Sequence, residues 1–327
     1  MKPEKGGALQ QNTWPRIAVV GAGAVGCYFG GMLARAGAPV TLIGRPQHVE
    51  AITRDGLLLD SPHFQQQIPV SASMQMSTAR EAELILLCVK TPATVEAAKS
   101  LAPYLGPGAT VLSLQNGVDN VERIHSAAAI EAFPTVVYVA AEMIAPGRVR
   151  HTGRGDLIIG DLLGHAREDA RRRQLESISA LFARAGVPCR VSDNIEGELW
   201  TKMIINCTYN ALSALGRARY HRLAQNPWTR KVMIKTIQEA VAVANAAGVR
   251  LPEVDMIEVG LKIAETMAFA ISSTAQDLAR GRLTEIDSLN GYLVRRGAEL
   301  GVATPVNQTL HALVKVLEET MAERGKG

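Results

Sequence analysis

Cysteine, aromatic residues and long apolar runs are all scarce in this chain, and each scarcity closes off a class of protein. Its four cysteines, Cys27, Cys88, Cys189 and Cys207, contain no CxxC pair. Neither a disulfide framework nor a metal site is expected; free thiols in a reducing, cytoplasmic compartment fit better. Nowhere does the sequence approach the ~18 consecutive apolar residues of a membrane span. Residues 1–12 are polar and lack the apolar core of a signal peptide. They read as a loose tail, which we extend to residues 1–14. The chain also lacks a basic patch. Lys and Arg number 35 against 31 Asp and Glu, and the one dense run, residues 167–173, is interrupted by Glu168 and Asp169. That run reads as a solvated helix face, and no nucleic-acid partner is expected. The mild positive balance suits small anions.

What is present is material for two cores, since 47% of the 327 residues are hydrophobic. An apolar run, residues 16–20, leads into Gly21, Ala22, Gly23, Ala24, Val25 and Gly26. A helix-compatible stretch over residues 27–36 follows, and then a second strand over residues 39–43. This is a βαβ unit with a dinucleotide fingerprint. Gly21 permits the tight turn, Gly23 lets the backbone approach a pyrophosphate, and Gly26 lets helix and sheet pack closely. The second strand ends in Gly44 and Arg45, with no carboxylate before Glu50. An NAD site needs an acid there for the ribose hydroxyl, whereas a 2′-phosphate needs a cation, so Arg45 points to NADP. The alternative is that Arg45 is an ordinary loop cation.

Two further buried strands, residues 84–89 and 109–114, end in Lys90 and in Gln115-Asn116-Gly117. Ligands of open α/β sheets lie beyond the carboxyl ends of the strands, which aims Lys90 and Asn116 at a cleft. Alternatively Lys90 snorkels to solvent and Asn116 belongs to a simple turn. Residues 55–69 read as a long irregular connection. Strands at 135–141 and 157–159, a helix at 175–185 and a last strand at 187–191 suggest antiparallel additions at one sheet edge. Pro146-Gly147 and the Gly153–Gly155 stretch serve as connections between them.

Beyond residue 194 strand signals vanish. Helical apolar spacing marks residues 195–215, 227–247, 252–279, 285–300 and 307–323, punctuated by Gly248, Gly281 and Gly301. The expected organisation is a tail over 1–14, a Rossmann-type doubly wound α/β domain over 15–192 and an all-α domain over 193–327, with Ser192, Asp193 and Asn194 at its entry. Lys202, Asn206 and Asn210 fall at i, i+4 and i+8 and form one polar stripe on an otherwise apolar helix. Two asparagines in such a helix need partners, either a neighbouring backbone or a ligand. The competing reading pairs Glu198 with Lys202 at the surface. Thr284, Glu285 and Asp287 read as a capping box, and Trp228, at a helix start, as structural.

The ordered set of the glycine loop, Lys90, Gln115-Asn116-Gly117, Lys202/Asn206/Asn210, Ser272-Ser273 with Gln276-Asp277, and Thr284-Glu285 through Asn290-Gly291 resembles the ketopantoate reductases (2-dehydropantoate 2-reductases). The resemblance covers nearly the whole chain after the tail. It implies NADPH-dependent reduction of ketopantoate to pantoate, for pantothenate and coenzyme A, on a helical domain like the C-terminal domain of 6-phosphogluconate dehydrogenase. It further implies Lys202 as general acid, Glu285 as partner of that lysine and of the substrate hydroxyl, and Asn206, Asn210 and Ser273 as substrate ligands. Lys90 and Asn116 line the cofactor–substrate cleft, and Arg45 meets the 2′-phosphate. Rival readings are a reductase of another branched 2-oxo acid and a non-catalytic NADP sensor, which would not need Lys202 and Glu285 together. The helical faces leave a homodimer open.

Overall fold

The computed structural model describes residues 14–162 and 168–324. The tail expected over 1–14 lies outside the described residues except for Trp14, whose ring sits beneath the Arg184 guanidinium. Arg167 of the basic run also lies outside them. The described residues fall into two compact units: residues up to 115 with 119–195, and 116–118 with those from 196 onward.

The first unit is built on a ten-stranded mixed sheet. Its parallel centre holds β1 (Ile17–Val20), β2 (Val40–Ile43), β5 (Ser71–Ser73), β6 (Leu84–Leu87), β7 (Thr110–Ser113) and the first residues of β8 (Ala132–Ala145). Its helices are α1 (Ala24–Arg35), α2 (Pro46–Asp55), α3 (Thr94–Leu101), α4 (Asn120–Ala128) and α5 (Glu168–Arg184). Both faces of the sheet are covered, and the sequence shows how. Ile17 and Val19 join Phe29 and Leu33 of α1 and Phe182 of α5 in one core, while Ala18 and Val20 join Ala98 and Leu101 of α3 and Ile124 of α4 in another. Successive residues point to opposite faces, so a strand enclosed on both sides is apolar without interruption. The chain winds from β1 toward β2 and β5 on one side, then restarts on the other side of β1 with β6 and β7. The switch point therefore lies beyond the carboxyl ends of β1 and β6.

Several connections differ from the sequence reading. Residues 55–69 are not irregular: β3 (Leu57–Ser61) and β4 (Phe64–Ile68) form an antiparallel hairpin. β8 and β9 (Arg148–Ile159) make one long antiparallel ribbon that turns at Pro146-Gly147. Gly153 and Gly155 lie inside β9; a Cβ on Gly155 would collide with the Tyr28 ring, which explains the glycine there, whereas nothing lies within 4 Å of one on Gly153. The last strand, β10 (Cys189–Val191), pairs parallel to β9 rather than antiparallel.

The second unit is helical, with α6 (Ile195–Gly216), α7 (Tyr220–Gln225), α8 (Pro227–Ala246), α9 (Met256–Thr266), α10 (Ser273–Ala279), α11 (Asn290–Leu300) and α12 (Pro305–Arg324). α6 is its central element: Trp200, Met203, Ile204 and Cys207 enter one core, and Tyr209, Ala211 and Leu212 another. A helix apolar on several faces is a buried one. The single helix read over 252–279 is two, α9 and α10. Between them the Ala268 and Ala270 carbonyls accept from His221 N and Tyr220 N of α7, an element absent from the sequence reading. Trp228 is no core residue. Asn226 caps α8 through Trp228 N and Thr229 N, but the Trp228 residue is 73% exposed. Among the described residues no helix is long and apolar enough to cross a membrane.

Candidate active site

The glycine loop divides its work as the spacing implies. Gly21 has φ +109°, and a Cβ there would lie 2.8 Å from the Cys88 carbonyl carbon and Val89 N at the end of β6. A Cβ on Gly26 would collide with Gly21 O and come within 2.9 Å of Val19, so Gly26 seats α1 on β1. Around Gly23 nothing lies within 4 Å of the added atom. α1 begins at Ala24, earlier than the sequence reading placed it, so Ala24, Val25 and Gly26 form its first turn. That turn carries no acidic residue, and its N-cap makes no side-chain hydrogen bond. Free N–H groups, a positive helix end and open space beside Gly23 are a fit for a pyrophosphate. A Cβ on Gly44 would sit 2.6 Å from that of Ala22, which explains the glycine where β2 passes the loop. Arg45 is exposed at the N-cap of α2, and its guanidinium makes no hydrogen bond or ion pair among the described residues.

A buried polar chain fixes the strand ends nearby. Ser113 Oγ donates to Gln115 Oε1 at 3.0 Å, while Gln115 Nε2 donates to Val89 O at 3.0 Å and to Thr94 Oγ1 at 2.7 Å. Thr94 Oγ1 in turn donates to Asn120 Oδ1 at 3.1 Å. Gln115 is therefore a scaffold residue that ties β6 and β7 to α3 and α4. Lys90 is exposed just past β6, where its carbonyl receives Ala93 N.

The next residue, Asn116, behaves differently. With Gly117 and Val118 it belongs to the helical unit, where Val118 packs against the core formed by Trp200 and Met203. Lys202 Nζ donates to Asn116 Oδ1 at 2.9 Å, and Asn116 Nδ2 donates to Glu285 Oε2 at 3.0 Å. One neutral amide thus joins an ammonium to a carboxylate, its acceptor facing the cation and its donor the anion. All three residues are half-buried. Sequence reasoning named each of them but did not see the amide between the other two. The rest of the stripe follows on α6. Asn206 is half-buried and Asn210 only 3% exposed, and neither amide makes a hydrogen bond among the described residues. Asn210 O accepts from Ser272 Oγ at 3.1 Å, and Ser272 also caps Ala275 N, which brings the exposed Ser273 alongside.

The capping-box reading of Thr284 needs correction. Thr284 Oγ1 does accept from Ile286 N, but Asp287 turns away to His311 Nε2 at 2.7 Å and Lys315 Nζ at 2.9 Å. The turn runs through a short 3-10 segment, Ile286–Ser288, ahead of α11. No cysteine qualifies as a nucleophile. Burial pushes the Cys27 thiol up to about 12 and raises Cys88 and Cys207 further still, so thiolate is scarce at neutral pH. Among the described residues no group of three His, Cys, Asp or Glu is placed to hold a metal. A cavity of about 300 Å³ lies at the amino ends of β1 and β2, between Arg16, Pro39, Val70 and Glu81.

Two family descriptions match the sequence. Residues 17–164 match "Ketopantoate reductase PanE/ApbA", and residues 194–318 match its C-terminal counterpart. The 2-dehydropantoate 2-reductase of Halobacterium salinarum is 34% identical over 307 residues, covering 93% of this chain and 99% of its own. Among solved structures, a PanE/ApbA family ketopantoate reductase from Ralstonia eutropha JMP134 is 49% identical with a TM-score of 0.86, covering 94% of this chain and 99% of its own. A D-mandelate dehydrogenase in ternary complex with NADH and anilino(oxo)acetate is 27% identical with a TM-score of 0.87, over the same shares of the two chains.

Proposed function

The chain belongs to the ketopantoate reductase family, and we propose that it reduces the 2-ketone of 2-dehydropantoate to the alcohol of pantoate, with NADPH as cofactor and Lys202 as general acid. The observation that carries this reading is the line from Lys202 through Asn116 to Glu285. NADPH, when bound, supplies the hydride. The chain's own residues manage the charge and the proton. As the carbonyl oxygen turns into an alkoxide, the Lys202 ammonium stabilises that charge and gives up a proton to it. Asn116 Oδ1 aims the ammonium. Glu285 aims Asn116 through its Nδ2, and its carboxylate serves the substrate hydroxyl. Asn206, Asn210 and Ser273 supply neutral donors for the substrate carboxylate, and Lys90 adds a cation on the cofactor side. The Asn206 and Asn210 amides, which make no hydrogen bond among the described residues, support this, because an enclosed polar group is costly unless a ligand or neighbour completes it.

For the cofactor, Gly21 to Gly26 fit a pyrophosphate, and Arg45, which has no partner among the described residues, is a cation where a 2′-phosphate needs one. The missing carboxylate at the end of β2 favours NADPH over NADH. Residues 15–192 would then hold the cofactor, and residues 193–327, joined by Asn116, the chemistry. Four free thiols suit the cytoplasm. The likeness to D-mandelate dehydrogenase keeps a second reading in view, reduction of a different 2-oxo acid. Initial rates on a panel of 2-oxo acids with each cofactor test both. We expect 2-dehydropantoate with NADPH to give the highest kcat/KM, and a preference for an aryl 2-oxo acid would overturn the substrate assignment.

A further inference from the structure

Glu285 has a short side chain on a turn, yet its carboxylate must sit within hydrogen-bond reach of Asn116. What holds the turn comes from α12. Glu318 Oε1 accepts both Thr284 N and Thr284 Oγ1, each at 2.7 Å, and Lys315 Nζ meets Glu318 Oε2 at 2.8 Å. Thr284 Oγ1 also accepts from Ile286 N at 3.2 Å, and Ile286 is fully buried in the core with Tyr209 and Leu310. Glu285 is thus clamped between two fixed neighbours, and only its side chain faces Asn116. Glu318 is 6% exposed. Burial alone would raise its carboxyl, but Lys315 and the two Thr284 donors hold it below the ordinary glutamate range. A buried charge is a costly way to secure a turn, since an apolar contact would serve stability as well. It is an effective way to set direction, because both Thr284 donors converge on one oxygen.

We propose that Glu318 is a positioning residue: by clamping Thr284 it sets the placement of the Glu285 carboxylate on Asn116, and so the efficiency of the reaction, without touching substrate or cofactor. The proposal rests on the reading of Lys202, Asn116 and Glu285 given above. Misplacing a catalytic constellation by about 1 Å can cost ~10²-fold, so a loosened clamp should be measurable.

The test uses the full chain, with initial rates on 2-dehydropantoate and fluorescence titration with NADPH. Thr284→Val keeps the shape and loses the hydroxyl, Thr284→Ser keeps the hydroxyl, and Glu318→Gln keeps an acceptor but loses the charge. We expect Thr284→Val and Glu318→Gln each to lower kcat/KM about tenfold or more with NADPH affinity unchanged, and Thr284→Ser to retain near-normal rates. In a Glu285→Ala background, neither Glu318→Gln nor Thr284→Val should lower kcat/KM further, because the group they position is gone. A purely structural role predicts equal losses in both backgrounds, and that result would overturn the proposal. If a Glu318 variant does not fold, the Thr284→Val and Thr284→Ser pair decides alone. Should Glu285→Ala itself leave the rate untouched, the site reading fails and this proposal with it. If Glu285→Ala is damaging while Thr284→Val and Glu318→Gln are silent, only the positioning role falls.

Discussion

Removing the amide of Asn116 should separate Lys202 from Glu285 without disturbing either. In Asn116→Ala two hydrogen bonds disappear, one of 2.9 Å from an ammonium and one of 3.0 Å to a carboxylate. Bonds to charged groups are worth ~1.5–3 kcal/mol each. Water can replace part of that here, because all three residues are half-buried, so the lower end, about 1.5 kcal/mol per bond, is the appropriate figure. The loss of both is then about 3 kcal/mol, and at ~1.4 kcal/mol per decade the expected fall in kcat/KM is roughly 10²-fold. Asn116→Asp makes a sharper case. It retains an acceptor for Lys202 but sets a carboxylate oxygen about 3 Å from Glu285 Oε2, where two like charges repel by roughly 5 kcal/mol at an effective dielectric near 20. It should therefore raise KM for an anionic 2-oxo acid more than Asn116→Ala does. Both can be followed as NADPH oxidation at varied substrate, with NADPH affinity measured separately and expected to stay within about twofold. If Asn116→Ala retained near-normal kcat/KM while Lys202→Ala did not, the amide would be a passive neighbour and the three-residue site would have to be abandoned.

Lys202→Ala should cut turnover by about 10²–10⁴-fold, the range for a positioned proton donor. Near-normal turnover would return the lysine to the helix surface. Arg45→Ala should erase most of an NADPH preference of at least tenfold, since one charge-assisted contact is worth ~1.5–3 kcal/mol; equal binding of NADPH and NADH by the unaltered protein would refute the assignment. Gly23→Ala should keep the melting temperature and weaken NADPH binding, whereas Gly26→Ala should lower the melting temperature itself, because only the second Cβ meets protein atoms. Glu318 and Asp287 both have carboxyls held low in the fold, against burial, by Lys315 together with Thr284 or His311. Their contribution is full above the unfolded values, ~4.3 and ~3.9, and is lost as pH falls through the lower folded ones. Acid unfolding curves should therefore flatten in Glu318→Gln below about pH 4.3, and an unchanged acid limb would contradict that sign.

Most of the first unit was legible because its signals are local. A four-residue apolar strand, three glycines at fixed spacing and a second strand lie within about thirty residues, and each glycine answers to an atom close by. The helical stripe of Lys202, Asn206 and Asn210 was legible for the same reason, as a matter of turn geometry. The misreadings share the opposite property. β4 contains Gln65, Gln66 and Gln67, all exposed, so it shows no alternation, and its strand state comes from pairing with β3. Gly155 looked like a turn residue because the ring that excludes a side chain there, Tyr28, is on α1. The break between α9 and α10 arises where carbonyls are drawn off by α7, some fifty residues earlier in the chain.

The candidate site sits on the same divide. Lys202 and Glu285 stood out as residue types in good contexts, but the residue between them is 86 positions from one and 169 from the other. Asn116-Gly117 carries an ordinary turn signature, and Gly117 indeed has φ +103°. Nothing local separates an asparagine that closes a turn from one that bridges an ammonium and a carboxylate. The distinction comes from Val118, whose packing against the Trp200 core draws residues 116–118 into the helical unit. The amide's two ends then meet their complements: a neutral group with one acceptor and one donor is suited to lie between opposite charges. Asp at that position would turn its second oxygen toward Glu285, and a hydrocarbon would remove both of these hydrogen bonds. That chemical requirement, more than the turn, makes asparagine the expected residue at position 116.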